Sequence, residues 1–262
     1  MDVNERRQFI ADQVSSRGEI EFSSLAELLG LSGMTIRRDV EILEGQGLLR
    51  RVVGGAISVK GTSAEPPFAS RASAAAEEKE HIADAVVDLL TPGETVLLDS
   101  GSTVLSVARA IRKREIGLTV ITPSALAGLE LSDAPGVTVF LIGGLLRPSE
   151  LSLIGPDTIE AISRFNCDTF VMGVAGIDSR GGVSDYHYEE AHVKAAGIKS
   201  ATRVIVAADQ TKLGRTSLVK IVEFSEISIL VTDARQDHPV LREARQAGVE
   251  VVTISPREPA KK

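Results

Sequence analysis

Residues 35–56 read TIRRDVEILEGQGLLRRVVGGA, and few folds accommodate that order of side chains. Ile36, Val40 and Leu43 recur at steps of four and three, which stacks them on one face of a helix and gives that face something to bury. Met34, Arg37, Arg38 and Glu41 then fall on the opposite face. Ser32 can cap the helix start, Gly45 and Gly47 end it, and residues 48–53 read as a short strand carrying Arg50 and Arg51. A helix with an apolar back and a cationic front suits a major groove, because arginine forks onto guanine or grips a phosphate.

An isolated arginine pair is more often a solvated surface, so the residues upstream matter. Residues 18–30, GEIEFSSLAELLG, read as a turn, a capped short helix on Leu25, Leu28 and Leu29, and a glycine stop. With a first helix over 4–16, the order becomes helix, helix, turn, helix, hairpin. That is a winged helix-turn-helix, expected over residues 1–59, with Ser32, Met34, Thr35, Arg37, Arg38, Arg50 and Arg51 as the DNA-facing candidates. Thr35, Arg37 and Arg38 lead that group, and Arg50 and Arg51 belong to the wing.

The rest of the chain is a different kind of object. Its 262 residues, 43% of them hydrophobic, suit one small and one medium domain. Residues 60–76 are rich in small side chains, contain Pro66-Pro67 and read as a connector. A helix is expected from Glu77 to the Pro92-Gly93 stop. Seven runs rich in Val, Ile and Leu follow, at 95–98, 118–121, 137–142, 169–172, 203–207, 228–231 and 249–254, with helical segments at 104–112, 187–200 and 240–247. Continuous apolarity marks strands covered on both faces, so residues 77–256 should form a mostly parallel α/β domain, followed by a charged tail at 257–262. The strand ends carry small and polar residues: Asp99, Ser100, Gly101, Ser102 and Thr103; Ser124; Gly143 and Gly144; Asp178; Asp209 and Lys212. In such a sheet the carboxyl ends share one edge, and a binding crevice is expected there.

The turn DSGST joins a strand to a helix, where unpaired amides and the helix dipole favour an anion; taken alone such a turn is more often just a cap. Lys194 and Lys212 are candidate counter-charges, and Asp178, Glu190 and Asp209 candidate acceptors for sugar hydroxyls. No metal is expected: His187 and His192 lie five apart on different helix faces. The single Cys167 has no CxxC partner and reads as an inert thiol, and neither a GxxxxGK[ST] loop nor a dinucleotide fingerprint is present, so no cofactor is expected. Nothing near the start resembles a signal peptide and no apolar run approaches a membrane span, which places the chain in the cytoplasm. The net charge of −7 argues against indiscriminate grip on nucleic acid, while Arg37, Arg38, Arg50, Arg51 and Lys60 form a local basic patch.

Residues 6–56, with TIRRD, LE-x-x-GLL-RR and the closing GGA, resemble the N-terminal domain of the DeoR family of bacterial sugar-metabolism regulators. DSGSTVLSVARAI, LTVITPSALAGLEL, FLIGGLLRPSELSLIGP, GVAGID, YEEAHVKAA and ADQTKLGRTSL resemble, in order, segments of that family's ligand domain, so the likeness covers nearly the whole chain. The resemblance implies a sensor domain similar in fold to ribose-5-phosphate isomerase, a phosphorylated sugar or related metabolite as effector, double-stranded operator DNA as partner, and a homo-oligomer, dimer or tetramer. By that likeness Gly101, Ser102 and Thr103 hold the phosphate, with Glu190, Lys194, Asp209 and Lys212 around the sugar. The chain departs from the pattern at Pro123, where many relatives carry Asn, and at Ala175, where many carry Asp. The second departure bears on the rival reading, an isomerase with a fused DNA-binding domain, since isomerisation needs a carboxylate base beside the carbonyl. Sensing, most simply by a repressor, is the expected function.

Overall fold

The structure, a computed structural model, describes residues 3–45, 48–58, 65–178 and 182–254. It divides into two compact units that meet in sequence between Pro66 and Pro67. Lys60, Gly47 and the tail at 257–262 lie outside the described residues, as does the connector up to residue 64.

The first unit runs α1 (Val3–Arg17), β1 (Glu19–Glu21), α2 (Phe22–Leu29), α3 (Gly33–Gly45), β2 (Arg50–Val52) and β3 (Gly55–Ile57). Three helices enclose Ile10, Val14, Leu25, Ile36, Val40 and Leu43, and Leu49 and Ala56 close the core from the sheet side. Ser32 caps α3 as expected, accepting the Thr35 N–H at 3.2 Å. The helix-turn-helix is therefore present, and the wing follows it. Three details differ from the sequence reading. The turn before α2 contains β1, which pairs with β3 and makes the wing three-stranded in the order β1-β3-β2. Glu21, not a serine, stands at the N-cap of α2, without a side-chain cap bond. Leu28 is exposed rather than part of the core, because Phe22, Leu25 and Leu29 occupy the inward face of that short helix. Gly55 is obligatory for this sheet: a Cβ there would stand 2.5 Å from the Ile20 carbonyl oxygen.

The second unit begins with α4 (Phe68–Ser73), inside the stretch read as a connector, and α5 (Ala76–Asp88). Then come β4 (Thr95–Leu98), α6 (Ser102–Arg114), β5 (Leu118–Thr122), α7 (Ala125–Leu131), β6 (Val137–Leu141), β7 (Leu145–Arg147), β8 (Ser152–Ile154), α8 (Pro156–Ser163) and β9 (Cys167–Gly173). The chain closes with β10 (Gly176–Asp178), β11 (Gly182–Asp185), α9 (Tyr188–Lys199), β12 (Ala201–Ala207), β13 (Val219–Val222), β14 (Ile229–Thr232), α10 (Pro239–Gln246) and β15 (Glu250–Thr253). All seven apolar runs are strands of one parallel sheet, ordered β15-β14-β12-β9-β4-β5-β6. Alternate strand residues pack to the two sides: Val96, Leu98 and Val171 under α5, α6 and α7, and Leu97, Phe170 and Met172 under α8, α9 and α10. The small sheet β10-β11-β13 and the hairpin β7-β8 have too few residues to leave a period in the sequence.

The strand order fixes where a ligand can sit. From β4 the chain moves outward through β5 and β6, then returns to β9 on the other side of β4. The carboxyl ends of β4 and β9 therefore flank a topological switch point, where the connections leave in opposite directions and open a crevice.

Asp39 holds the first unit together in a way that helix periodicity does not reveal. It points inward from α3 and accepts from Arg6 at 2.6 Å and Arg7 at 2.9 Å, both on α1. Burial pushes this carboxyl up, but the two arginine bonds outweigh it and leave it below its ordinary value. A depressed carboxyl stabilises the fold above its unfolded value, and that contribution is lost as pH falls through the folded value. Asp39→Asn should destabilise the first unit by roughly 1.5–3 kcal/mol at neutral pH, the worth of hydrogen bonds to a charged group. Amide hydrogen exchange over residues 3–57, compared with wild type at descending pH, should show the difference vanish as wild-type Asp39 protonates.

Candidate functional site: a basic helix face and a charged pocket at the strand ends

On α3, Met34, Arg37 and Arg38 are all exposed, as the spacing requires. Arg37 lies over the Phe22 ring at 5.9 Å, a contact that steadies the guanidinium without neutralising it. Thr35 is engaged at the cap by a 2.9 Å bond between its hydroxyl and that of Ser32. The wing is less uniform than expected. Arg50 is exposed, whereas Arg51 bends back to Glu41 at 3.6 Å and Glu44 at 3.5 Å, and its amide donates to Glu44 at 2.7 Å. Such surface pairs are worth little and exchange readily for a phosphate. Val53, fully exposed at the wing tip, carried no signal in the sequence beyond its place before two glycines.

In the α/β unit the pocket is built outward from Asp99, the residue after β4. Its Oδ2 accepts the N–H of Gly173, the last residue of β9, at 3.1 Å, which ties the two central strands together at the switch point. Lys194 of α9 donates to the same oxygen and, at 3.0 Å, to the Gly173 carbonyl, and it lies 3.4 Å from Asp185. The approach of α9 depends on Gly197, where a Cβ would stand 2.8 Å from the Phe170 ring and 2.9 Å from Leu97. Burial pulls Lys194 down, but Asp99, Asp185 and Glu190 outweigh it and hold the ammonium above its ordinary range. Burial pushes Asp99 up to about 6 against the pull of Lys194.

Above this ion cluster, Gly101 opens α6 with no side-chain cap bond, and Ser100, Ser102 and Thr103 line the turn, mostly buried. The first amides of α6 have no intrahelical partner, so the turn presents donors and a positive helix end. Glu190, one turn before Lys194, accepts from the Ser152 hydroxyl at 2.6 Å and pairs with Arg147 at 3.0 Å. Burial pushes Glu190 up, yet Lys194, Ser152 and Arg147 leave it below its ordinary value. Asp209 follows β12 and accepts from the Thr211 amide at 3.0 Å. Lys212 is lowered chiefly by burial, and Asp209 only partly restores it. Lys79, which burial brings down to about 8, feels both Asp209 and Lys212. Lys79 and Lys212, both lowered by burial, and the uncapped start of α6 are groups that an anion can engage.

Of the expected pocket residues, the structure gathers Asp99, Ser100, Gly101, Ser102, Thr103, Glu190, Lys194, Asp209 and Lys212. Ser124 is peripheral: it caps α7, accepting the Ala127 amide at 3.2 Å, and bridges to Ser152. Gly143 and Gly144 are packing residues, the Gly143 carbonyl accepting from Thr158 at 3.0 Å and a Cβ on Gly144 meeting Thr158 at 1.9 Å. Asp178 is displaced: it ends β10 opposite Gly182, while the hairpin's other end sends Asp185 to Lys194. The sequence reading missed Arg71, Lys79, Arg147, Glu150, Ser152 and Asp185. Lys79 had a signal, since it shares the helix face of Ile82, Ala83 and Val86 and must be buried with them. Cys167 is buried, and burial with the nearby Asp168 charge pushes its thiol up to about 11, an unreactive value. Among the described residues no group of His, Cys, Asp and Glu could hold a metal, and no helix is long and apolar enough to cross a membrane.

Comparison with known proteins agrees with both halves of this picture. Residues 6–62 match the model of the DeoR-like helix-turn-helix domain, and residues 74–234 match that of the DeoR C terminal sensor domain. The chain is 35% identical to the HTH-type transcriptional regulator GlpR of Haloferax volcanii, covering 95% of this chain and 96% of that protein. It is 32% identical to the glycerol-3-phosphate regulon repressor of Escherichia coli K12, covering 89% and 92%, and 33% identical to the HTH-type transcriptional repressor GlcR of Bacillus subtilis, covering 98% and 99%. Ribose 5-phosphate isomerase A of Methanocaldococcus jannaschii superposes with a TM-score of 0.39 at 16% identity, over 53% of this chain and 55% of that one, a likeness too loose to bear on chemistry.

The buried cluster makes a direct prediction. Lys194→Met leaves Asp99, Asp185 and Glu190 facing one another without their cation, which should cost about 3–5 kcal/mol at neutral pH. Asp99, raised even with Lys194 present, is raised further without it, so the variant should regain stability as pH falls from neutral toward the ordinary carboxylate range. Thermal melts between neutral and mildly acidic pH measure this; a variant that melts with wild type at every pH contradicts the assignment.

Proposed function

This chain belongs to the DeoR family of transcriptional regulators, and from that premise we propose that it is a repressor of a carbohydrate-metabolism operon whose operator affinity is set by a phosphorylated sugar or related metabolite. The observation that carries the effector half is the group of charges at the strand ends, where Lys194 bonds Asp99 just before the uncapped start of α6 while buried Lys79 and half-buried Lys212 are both lowered by burial. A phosphate supplies what that arrangement lacks. The names of the relatives, among them a glycerol-3-phosphate regulon repressor, support the same class of effector and the same sign of regulation.

The operator-reading half rests on α3. With that helix in the major groove, Thr35, Arg37 and Arg38 face base edges and phosphates, Met34 offers an apolar contact, Ser32 sits at the helix start, and Arg50 and Arg51 approach the backbone from the wing. One such head has a small footprint, so the working form is a homo-oligomer, dimer or tetramer, whose paired heads gain effective concentration on half-sites. It acts in the cytoplasm, without a membrane partner. The effector prefers the arrangement of heads that fits the operator poorly, and coupling of about 1–3 kcal/mol changes operator affinity by one to two decades.

Sensing without turnover is part of the proposal. Glu190, the carboxylate best placed to act as a base on a bound sugar, is committed to Ser152 and Arg147 and held below its ordinary value. Purified protein should not interconvert ribose 5-phosphate and its ketose; efficient turnover would replace this reading with an isomerase.

Selection of duplexes from a random pool by the full-length protein should enrich a two-fold-related site. On that site Arg38→Ala should weaken binding by about 1–3 kcal/mol if Arg38 reads a base, or lower the salt slope by about one if it grips a phosphate. Thr103→Val, which keeps shape and removes the hydroxyl, should blunt release by phosphorylated sugars and leave operator affinity intact. Wild-type induction in that variant would remove the turn from the effector site.

A further inference from the structure

Arg71 lies where the sequence suggested only a connector, in the first helix after the segment that leads from the helix-turn-helix unit. Its guanidinium reaches Glu150, in the turn between β7 and β8, and both side chains are largely buried. The Arg71 charge falls on Lys79 and on Lys212, so the pair borders the pocket described above rather than a separate surface. A carboxylate on an arginine fork satisfies the same donors that a phosphate would satisfy.

The two partners are held very differently. Lys79 donates to the carbonyl of Arg71 itself and, at 2.7 Å, to that of Ala74, so a buried ammonium fixes the end of α4 where the helix dipole is negative. The arginine side cannot give way easily. The turn carrying Glu150 has an uncommon conformation: Leu151, the next residue, has φ 53°, left-handed for a non-glycine residue. Pro148 and Ser149, just before Glu150, are exposed, which leaves a released carboxylate a short path to water. The same hairpin is tied to the pocket a second time through Arg147 and Glu190.

Taking the pocket as the effector site, we propose that Arg71 binds the effector's phosphate group, that Glu150 occupies this arginine until the phosphate arrives, and that the exchange frees the β7-β8 turn. The phosphate wins because it brings a second negative charge and more acceptor oxygens to a spot already shared by Lys212. Glu150 leaves for solvent, and the hairpin then keeps its ties through Arg147 and Ser152 to Glu190 but loses the one at its turn. Arg71 stays in place on its Lys79 anchor, now loaded by the ligand.

The test uses full-length protein and inorganic phosphate as the probe, titrated against chloride at constant ionic strength. Phosphate should raise the wild-type melting temperature and at the same time speed hydrogen exchange in residues 145–154. Glu150→Gln removes the competitor and should reach half-saturation at about fivefold lower phosphate, whereas Arg71→Gln should need about tenfold more. The discriminating result is faster exchange over residues 145–154 on adding phosphate to wild type and its absence in Glu150→Gln, because charge alone would move the two affinities in opposite directions without freeing the turn. Phosphate stabilisation that is unchanged, or weakened alike, in both variants overturns the exchange and leaves the effector pocket standing. Wild-type protein that shows no specific response to phosphate overturns the pocket reading and the exchange with it.

Discussion

Lys194 carries its charge at 3% exposure, and everything around it is arranged to make that tolerable. Asp99 ends the excursion of β4, Gly173 ends β9, and the lysine joins them from above while Asp185 closes the other side. A buried ammonium left unpaired in this position would cost several kcal/mol, a large share of the marginal stability of a domain this size. The strand order, the close approach of α9 over Gly197, and the small sheet that delivers Asp185 are thus parts of one electrostatic solution. The solution is incomplete at its rim, where Lys79 and Lys212 are lowered by burial. On the proposed function, an anion supplies the charge that those outer lysines lack.

What was legible in the sequence follows from the same physics. The seven strands of the main sheet are covered on both faces, so each one shows as an unbroken apolar run, and all seven runs became strands. The helix-turn-helix was readable because α3 buries one face and exposes the other. The short strands β1, β7, β8, β10 and β11 have no room for a period, and α4 was hidden because its six residues after Pro66-Pro67 are small or polar apart from Phe68 and lean on Lys79 rather than on an apolar stripe. The DSGST turn announced itself by composition. Asp178 and Asp185 show the opposite case: both are aspartates of one hairpin, and which of them faces the strand ends depends on how that hairpin lies, which pairing and not composition decides. Arg71 and Glu150 stand too far apart in sequence for either to suggest the other.

The DNA-facing unit solves a smaller version of the problem. Three helices this short cannot bury much, so the junction of α1 and α3 adds a carboxylate shared between Arg6 and Arg7. Asp39 sits between Arg38 and Val40 in sequence, and its inward turn separates the structural charges on α1 from the exposed ones on α3. The basic face of α3 is thereby kept for a partner, within a chain whose net charge is −7. An acidic body disfavours general attraction to phosphate backbones, and the local patch then has to supply binding by fit.

A regulator of this design needs its two states to differ by only a few kcal/mol, because an effector shifts an equilibrium by no more than its differential affinity. Deeply buried ion pairs such as Lys194–Asp99 are too costly to break for that purpose. Exposed pairs such as Arg51–Glu44 are worth too little to report anything. Pairs of intermediate burial at the pocket rim, Arg147–Glu190 and Arg71–Glu150, fall between those limits, and both involve the β7-β8 hairpin. Depth of burial therefore sorts the charged residues: the innermost hold the strand ends together, and the proposed function assigns ligand response to the rim and DNA contact to the outermost.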